Sequence, residues 1–136
     1  MITRRMLGGL AAAASPLARP ALAQGARVPE GPLRLVVPFP PGGPNDLVAR
    51  VLAQRMSSVL DRNIVVENRS GAGGVLGTDN VAKAAPDGRS LCLTSAGAIA
   101  ISPALGAPMP FDVARDLAPL TLVALMPELL AVTTSL

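Results

Sequence analysis

The stretch that most constrains the fold runs from Leu33 to Arg50, LRLVVPFPPGGPNDLVAR. An apolar run ends in prolines, a Gly42-Gly43 pair follows, and a helix-like pattern begins at Pro44. A strand, a glycine turn and a helix in this order direct backbone N–H groups into a hollow at the helix N-terminus. Such a hollow suits an anion, because the helix dipole is positive there and glycine lets a ligand approach the backbone. The pattern alone is equally compatible with an ordinary βα turn.

Strand-like and helix-like patterns alternate along the rest of the chain. Strands are predicted at Leu33–Val37, Ile64–Glu67 and Ser90–Thr94, and helices at Pro44–Leu60 and Val75–Ala85. Near-continuous apolar strands that alternate with helices are typical of a parallel sheet covered on both faces, so the sequence predicts a three-layer α/β lobe. Further predictions are a helical turn at Ser102–Leu105, a short turn at Val113–Asp116 capped by Asp112, and strand-like segments at Leu120–Leu125 and Leu129–Thr134.

The first predicted helix carries an apolar stripe and one pair of opposite charges. The apolar positions from residue 47 to residue 60 recur at helical spacing, which predicts one buried face. Asp46 and Arg50 are spaced i, i+4, and we expect them to pair on the exposed side of the helix. Asp46 also lies in the first turn, where a carboxylate suits the helix dipole.

The composition excludes several classes of function. Three of the 12 basic residues fall within the first 23 residues, which leaves the rest of the chain with equal numbers of basic and acidic residues and no basic patch for nucleic acid. The sequence has no histidine, the commonest general base and metal ligand. We predict no catalytic residue, no metal site and no cofactor. The single cysteine, Cys92, lies in an apolar run and is interpreted as a core residue rather than a reactive thiol.

Residues 1–23 are predicted to be an export signal peptide. A basic pair at residues 4–5 precedes a short apolar segment at residues 6–14, and residues 21–23 form a small-x-small cleavage site. The apolar segment is too short to span a bilayer. Both the Sec route and the twin-arginine route fit this signal, and either one ends in a bacterial periplasm. Residues 24–32 would then be a flexible start of the mature chain.

A second glycine-rich loop, NRSGAGG, leads into the second predicted helix and suggests a nucleotide-binding turn. The dinucleotide fingerprint G-x-G-x-x-G, placed on Gly71 and Gly73, needs glycine at position 76, where the chain has Leu76. The glycine falls at Gly77 instead, and no acidic residue closes a following strand at the expected distance. A nucleotide-binding α/β enzyme domain that uses the Gly71–Gly77 loop is kept as an alternative hypothesis.

Several motifs together resemble one protein family. The segments PFPPGGPND, VVENRSGAGG, VAKAAPDG, ISPAL and PFDVARDLAPLTLVA, spread over about residues 33 to 136, are similar to those of tripartite tricarboxylate transporter receptors, the Bug-type periplasmic solute-binding proteins. The resemblance implies a periplasmic-binding-protein (Venus-flytrap) fold. It also implies a monomeric receptor, not an enzyme, that captures a small carboxylate and presents it to membrane transporter subunits.

The resemblance also implies which residues form the first lobe's half of the ligand cleft. In the family, backbone N–H groups, small hydroxyls and ordered water hold a ligand carboxylate in loops that follow the first and third strands. The matching positions here are Pro41, Gly42, Gly43, Asn45, Asp46, Thr94, Ser95, Ala96 and Gly97. Helix support by Asp46, and strand-end capping by Thr94 and Ser95, remain alternative roles for these side chains.

The resemblance covers only the first part of such a receptor. Family members are longer and have a second α/β lobe, so we expect residues 33–136 to form a partial first lobe with the second lobe absent. Because a clamshell needs two lobes to bury a small ligand, a non-functional truncated gene product is a further hypothesis.

Overall fold

The computed structural model describes residues 30–127 and 130–134. The predicted signal peptide, residues 1–23, lies outside the described residues, as does most of the predicted flexible start at residues 24–32. No helix within the described ranges has the length and apolar character needed to cross a bilayer.

Three parallel strands form one sheet. They are β1 (Leu33–Val37), β2 (Ile64–Asn68) and β3 (Ser90–Cys92), in the spatial order β2-β1-β3. The central strand β1 is almost wholly buried, as its near-continuous apolar sequence predicts. The register places Leu33 beside Ile64, and Val36 beside Cys92. The fold class is confirmed as a small parallel α/β lobe.

Two helices make the crossover connections. Helix α1 (Pro44–Leu60) links β1 to β2, and α2 (Val75–Ala82) links β2 to β3. Shorter helical elements are a 3-10 turn at Ala72–Gly74, a π-helical segment at Gly97–Ile101, α3 (Ser102–Ala104) and α4 (Val113–Asp116). Asp112 caps α4 as predicted, because its Oδ1 accepts from the N–H groups of Ala114 and Arg115.

The two crossover helices lie on opposite faces of the sheet. Successive β1 side chains point to opposite faces. On one face Leu35 and Val37 form the core with two alanines of α1. On the other face Arg34 donates to Oδ1 of Asn80 in α2 over 2.7 Å. The two crossovers run in opposite directions across the sheet, and because crossovers are right-handed, their helices must lie on opposite faces. The described part of the chain therefore has the three predicted layers: a helix, the sheet and a second helix.

The buried face of α1 differs from the predicted apolar stripe. The residues buried against the sheet are Ala49 and Ala53, whose small side chains let the helix lie close to β1. Leu47 and Val51, which were predicted to belong to the buried stripe, are 66% and 57% exposed. The hydrophobic spacing predicted the helix correctly. It did not predict the buried face, because the residues that pack on the sheet are the two alanines beside the apolar stripe.

Several predicted elements end elsewhere or do not form. Strand β3 ends at Cys92 rather than Thr94, and α2 ends at Ala82 rather than Ala85. The segment Leu120–Leu125 is irregular and forms no strand, and its side chains are exposed. Of the last predicted strand, the described residues 130–134 also form none. A strand needs a neighbour for its N–H and C=O groups, and no described strand lies beside either segment.

Candidate functional site

The candidate site lies at the point in the sheet where the order of the strands reverses. From the central strand β1, the chain crosses to β2 on one side, and β3 pairs on the other side. In open α/β sheets a crevice forms at such a switch point, beyond the carboxyl ends of the strands. The segment after Val37 and the segment after Cys92 leave adjacent strands at this edge, and Leu93 N–H still donates to the Val36 carbonyl over 2.9 Å.

The first segment is a tight proline–glycine loop that ends in α1. Gly42 has φ +80, a left-handed conformation that glycine adopts without steric cost. Gly43 is the N-cap of α1, and its carbonyl accepts from Leu47 N–H over 3.0 Å. Pro44 occupies the first turn, where a missing N–H is not needed. Pro41 is exposed at the tip of the loop.

The carboxylate of Asp46 anchors this loop. It is 3% exposed and accepts from three donors, each over 2.9 Å: Gly42 N–H and Arg50 Nε at Oδ2, and Asn68 Nδ2 at Oδ1. The predicted pairing with Arg50 is confirmed, but Asp46 lies on the buried side of the helix rather than the exposed side. Hydrogen bonds from Arg50, Gly42 and Asn68 lower the pKa of the Asp46 carboxyl from the ordinary 3.8 to about 2.

This lowered pKa predicts an acid-sensitive fold. A carboxyl whose pKa is lower in the folded chain stabilises it above the unfolded pKa, and that contribution is lost as the pH falls from about 4 to about 2. We expect Asp46→Asn to unfold at a lower temperature than the wild-type chain at pH 6. The two unfolding midpoints should converge toward pH 2. Thermal unfolding followed by circular dichroism from pH 2 to 6 measures this, and a constant difference across that range would contradict the prediction.

The second segment carries the predicted residues Thr94 to Gly97. The Thr94 hydroxyl lies 3.0 Å from that of Thr78, a fully buried residue of α2. The Ser95 carbonyl accepts from Ala98 N–H over 3.1 Å and so opens the π-helical segment. Ala96 is exposed. Gly97 begins the π-helical segment, and a Cβ there would lie 3.5 Å from Ser95 Oγ.

The Gly71–Gly77 loop packs beneath both segments. A Cβ on Gly74 would lie 3.1 Å from the Phe39 ring and 3.2 Å from the Ala98 Cβ, so this glycine touches the loops that follow β1 and β3. A Cβ on Gly77 would lie 2.6 Å from Pro38. The space next to these two glycines is thus filled by the protein's own atoms. This packing accounts for Gly74 and Gly77 without a nucleotide.

Only some of the nine predicted site residues offer unused hydrogen-bonding groups. The Gly42 N–H, the Asp46 carboxylate and the Thr94 hydroxyl bond to other protein groups. Within the described ranges, no group bonds the backbone N–H of Asn45 or of Asp46, the Asn45 side chain, or the Ser95 hydroxyl. These donors lie at the N-terminus of α1 and after the neighbouring strand. Backbone N–H groups at a helix N-terminus and side-chain hydroxyls are donors that suit a carboxylate.

Sequence reasoning missed two residues that hold the site together. Asn68 donates from Nδ2 to the Phe39 carbonyl over 3.2 Å as well as to Asp46, and it joins the end of β2 to the loop after β1. Thr78 donates to the Gly74 carbonyl over 2.8 Å and also contacts Thr94. The position of Asn68, a polar residue directly after a predicted strand, could have indicated a role at the site. Thr78 gave no signal in the sequence, because its partners depend on the packing of α2 on the sheet.

The described residues contain no group of three His, Cys, Asp or Glu side chains that could hold a metal ion. Cys92 is partly buried, and the loss of solvent raises the pKa of its thiol to about 11. A thiol with such a pKa is almost wholly protonated at neutral pH and is a poor nucleophile.

Comparison with known families identifies the class of protein that this fold and site belong to. Residues 48–135 match the tripartite tricarboxylate transporter family receptors. The chain belongs to this family.

The curated relatives are longer than this chain. The chain is 44% identical over 109 residues to the protein BugT of Bordetella pertussis, an alignment that covers 79% of this chain and 33% of BugT. It is 38% identical over 129 residues to a protein encoded in the tcbD-tcbE intergenic region of Pseudomonas sp. (strain P51), which covers 95% of this chain and 38% of that protein. The chain therefore spans about a third of these relatives' length.

Solved structures agree with the family and the fold. A periplasmic transporter is 42% identical, with a TM-score of 0.58, over 62% of this chain and 28% of its own length. A solute-binding protein of the same family from Polaromonas is 30% identical, with a TM-score of 0.56, over 61% of this chain and 28% of its own. The lobe described above thus has the fold of part of a periplasmic binding protein.

Proposed function

We propose that this chain is the first, carboxylate-binding lobe of an extracytoplasmic solute receptor. It would capture a small carboxylate in the periplasm, as a monomer, and present it to the membrane subunits of a tripartite tricarboxylate-type transporter. No bond is made or broken in this function. The export signal predicted at residues 1–23, for the Sec or the twin-arginine route, supports the periplasmic location.

The proposal is based on the hydrogen-bond donors that two neighbouring segments leave unused. Unused donors lie at the carboxyl edge of adjacent strands: the N–H groups of Asn45 and Asp46 in the first turn of α1, and the hydroxyl of Ser95 in the segment after β3. The N-terminus of a 17-residue helix adds a positive dipole at the same edge. A carboxylate oxygen can accept from these donors, and a neutral solute would gain less from the dipole. The family's own description, receptors of tricarboxylate transporters, agrees with a carboxylate.

The experiment titrates citrate into the ¹⁵N-labelled chain and measures affinity from the amide chemical shifts. This method detects the weak binding expected of a single lobe, which supplies only part of the ligand's contacts. We expect Ser95→Ala to weaken citrate binding about fivefold, the value of one hydrogen bond to a charged group at a partly wet site. Citrate that shifts no amide of the wild-type chain would contradict the proposed function.

A matched serine variant controls for general effects. Ser58 lies in the last turns of α1, away from the site, and its hydroxyl donates to the Gln54 carbonyl over 3.3 Å. Ser58→Ala should therefore bind citrate with wild-type affinity. Equal weakening by both variants would show that Ser95 makes no special contact with the ligand.

A further inference from the structure

The Asp46–Arg50 pair lies at the N-terminus of α1, where the negative charge of Asp46 alone would disfavour an anionic ligand. Asp46 lies in the first turn of α1, and its own backbone N–H is one of the donors left for a carboxylate. Its carboxyl pKa of about 2 keeps it ionised at neutral pH. An anionic ligand at this helix end would therefore approach a buried carboxylate, and the two like charges would repel each other unless a cation offset one of them.

Arg50 is the cation that meets this carboxylate. Its Nε donates to Asp46 Oδ2 over 2.9 Å, and its Nη2 donates to Asn68 Oδ1 over 3.4 Å. The Arg50 side chain is 55% exposed, whereas that of Asp46 is 5% exposed. The guanidinium thus covers the solvent side of the carboxylate and connects α1 to the end of β2, without occupying the N-terminal donors.

We propose that Arg50 sets the charge preference of the site, by offsetting the charge of Asp46 so that the α1 N-terminus accepts an anion. Asp46 shapes the loop by holding Gly42 N–H, and Arg50 lets that carboxylate stay ionised beside an anionic ligand. Arg50 is a positioning residue that acts through Asp46, not a ligand contact. This inference rests on the proposed function, because it assumes that a carboxylate binds at this helix end.

The test measures citrate affinity by amide shifts in four chains: wild type, Arg50→Gln, Arg50→Lys and the double variant Asp46→Asn with Arg50→Gln. Arg50→Gln should weaken binding about tenfold, because it leaves one uncompensated charge near the ligand in a partly screened site. Arg50→Lys keeps the charge and should restore most of the affinity. The double variant has neither charge and should also bind more tightly than Arg50→Gln alone, because the amide oxygen introduced by Asp46→Asn can still accept from Gly42 N–H.

Lys83 provides a matched control. It pairs with Asp79 at i, i+4 as Arg50 does with Asp46, but it follows α2 at the opposite edge of the sheet. Lys83→Gln removes the same charge and should leave citrate affinity unchanged.

The outcomes separate the two proposals. If citrate shifts no wild-type amide, the proposed function fails and this inference fails with it. If the wild-type chain binds citrate but Arg50→Gln binds it equally well, the inference alone is overturned. If Arg50→Gln binds weakly and the double variant does not recover, Arg50 contacts the ligand or holds the fold directly, and the charge-offset role is wrong. Recovery in both Arg50→Lys and the double variant supports the role.

Discussion

Among the glycines of the described residues, replacement of Gly77 by alanine is expected to be the most damaging. A Cβ at this position would lie 2.6 Å from the Arg69 carbonyl oxygen and 2.6 Å from the Pro38 Cβ. Neither neighbour can retreat easily, because Arg69 N–H is held by the Val37 carbonyl over 2.8 Å and Pro38 is buried directly after β1. We expect Gly77→Ala to lower the free energy of unfolding by about 3 kcal/mol or to prevent cooperative folding.

Chemical denaturation followed by circular dichroism measures the effect of Gly77→Ala. Gly97→Ala is the matched control, because Gly97 also lies in a helical segment but its nearest neighbour to a new Cβ is 3.5 Å away. That control should be as stable as the wild-type chain or slightly more stable, because alanine favours helix. A Gly77→Ala chain as stable as the control would show that α2 does not pack on Pro38 as described.

Loss of the Thr78 hydroxyl has the second-largest expected effect. The side chain is fully buried, donates to the Gly74 carbonyl over 2.8 Å and lies 3.0 Å from Thr94 Oγ1. Thr78→Val keeps the shape but leaves these buried groups without their partner. We expect the free energy of unfolding to fall by about 2 kcal/mol. Because the bond connects the glycine loop to the segment after β3, citrate binding should weaken as well.

The control for Thr78→Val is the same substitution at an exposed threonine. Thr121 is exposed in an irregular segment, and Thr121→Val should change the free energy of unfolding by less than about 0.5 kcal/mol. Denaturant titrations of both variants give the comparison. Equal stabilities of the two variants would mean that the Thr78 hydroxyl is not needed by the buried network.

Elements whose cause is local could be predicted from the sequence. The helix that begins at Pro44 and ends at Leu60 follows from a proline–glycine turn and helical spacing, and the cap at Asp112 follows from a short acidic turn. Helices alternating with apolar strands were enough to predict the parallel sheet. The family resemblance, carried by motifs spread over the chain, was confirmed by the family match.

Features that depend on long-range packing could not be predicted. Asp46 is buried because the register of β1 and β2 places Asn68 beside Val37, next to the loop after β1. No local sequence pattern predicts that register. The apolar segment at Leu120–Leu125 has strand propensity, but a strand also needs a partner. The fold also determines which of the nine site residues keep unused hydrogen-bond donors. The Thr94 hydroxyl, for example, forms a hydrogen bond with Thr78 of another element.

A residue-resolved map of the amides that respond to citrate in the ¹⁵N-labelled chain tests directly whether a carboxylate binds at the α1 N-terminus. We expect the largest shifts at Asn45, Asp46 and Ser95 and in the loop residues beside them, with little change at the opposite edge of the sheet around Lys83. No response, or a response confined to the Gly71–Gly77 loop, would contradict a carboxylate site at the α1 N-terminus. A response of that loop to a dinucleotide, with none to citrate, would favour the nucleotide-binding alternative instead.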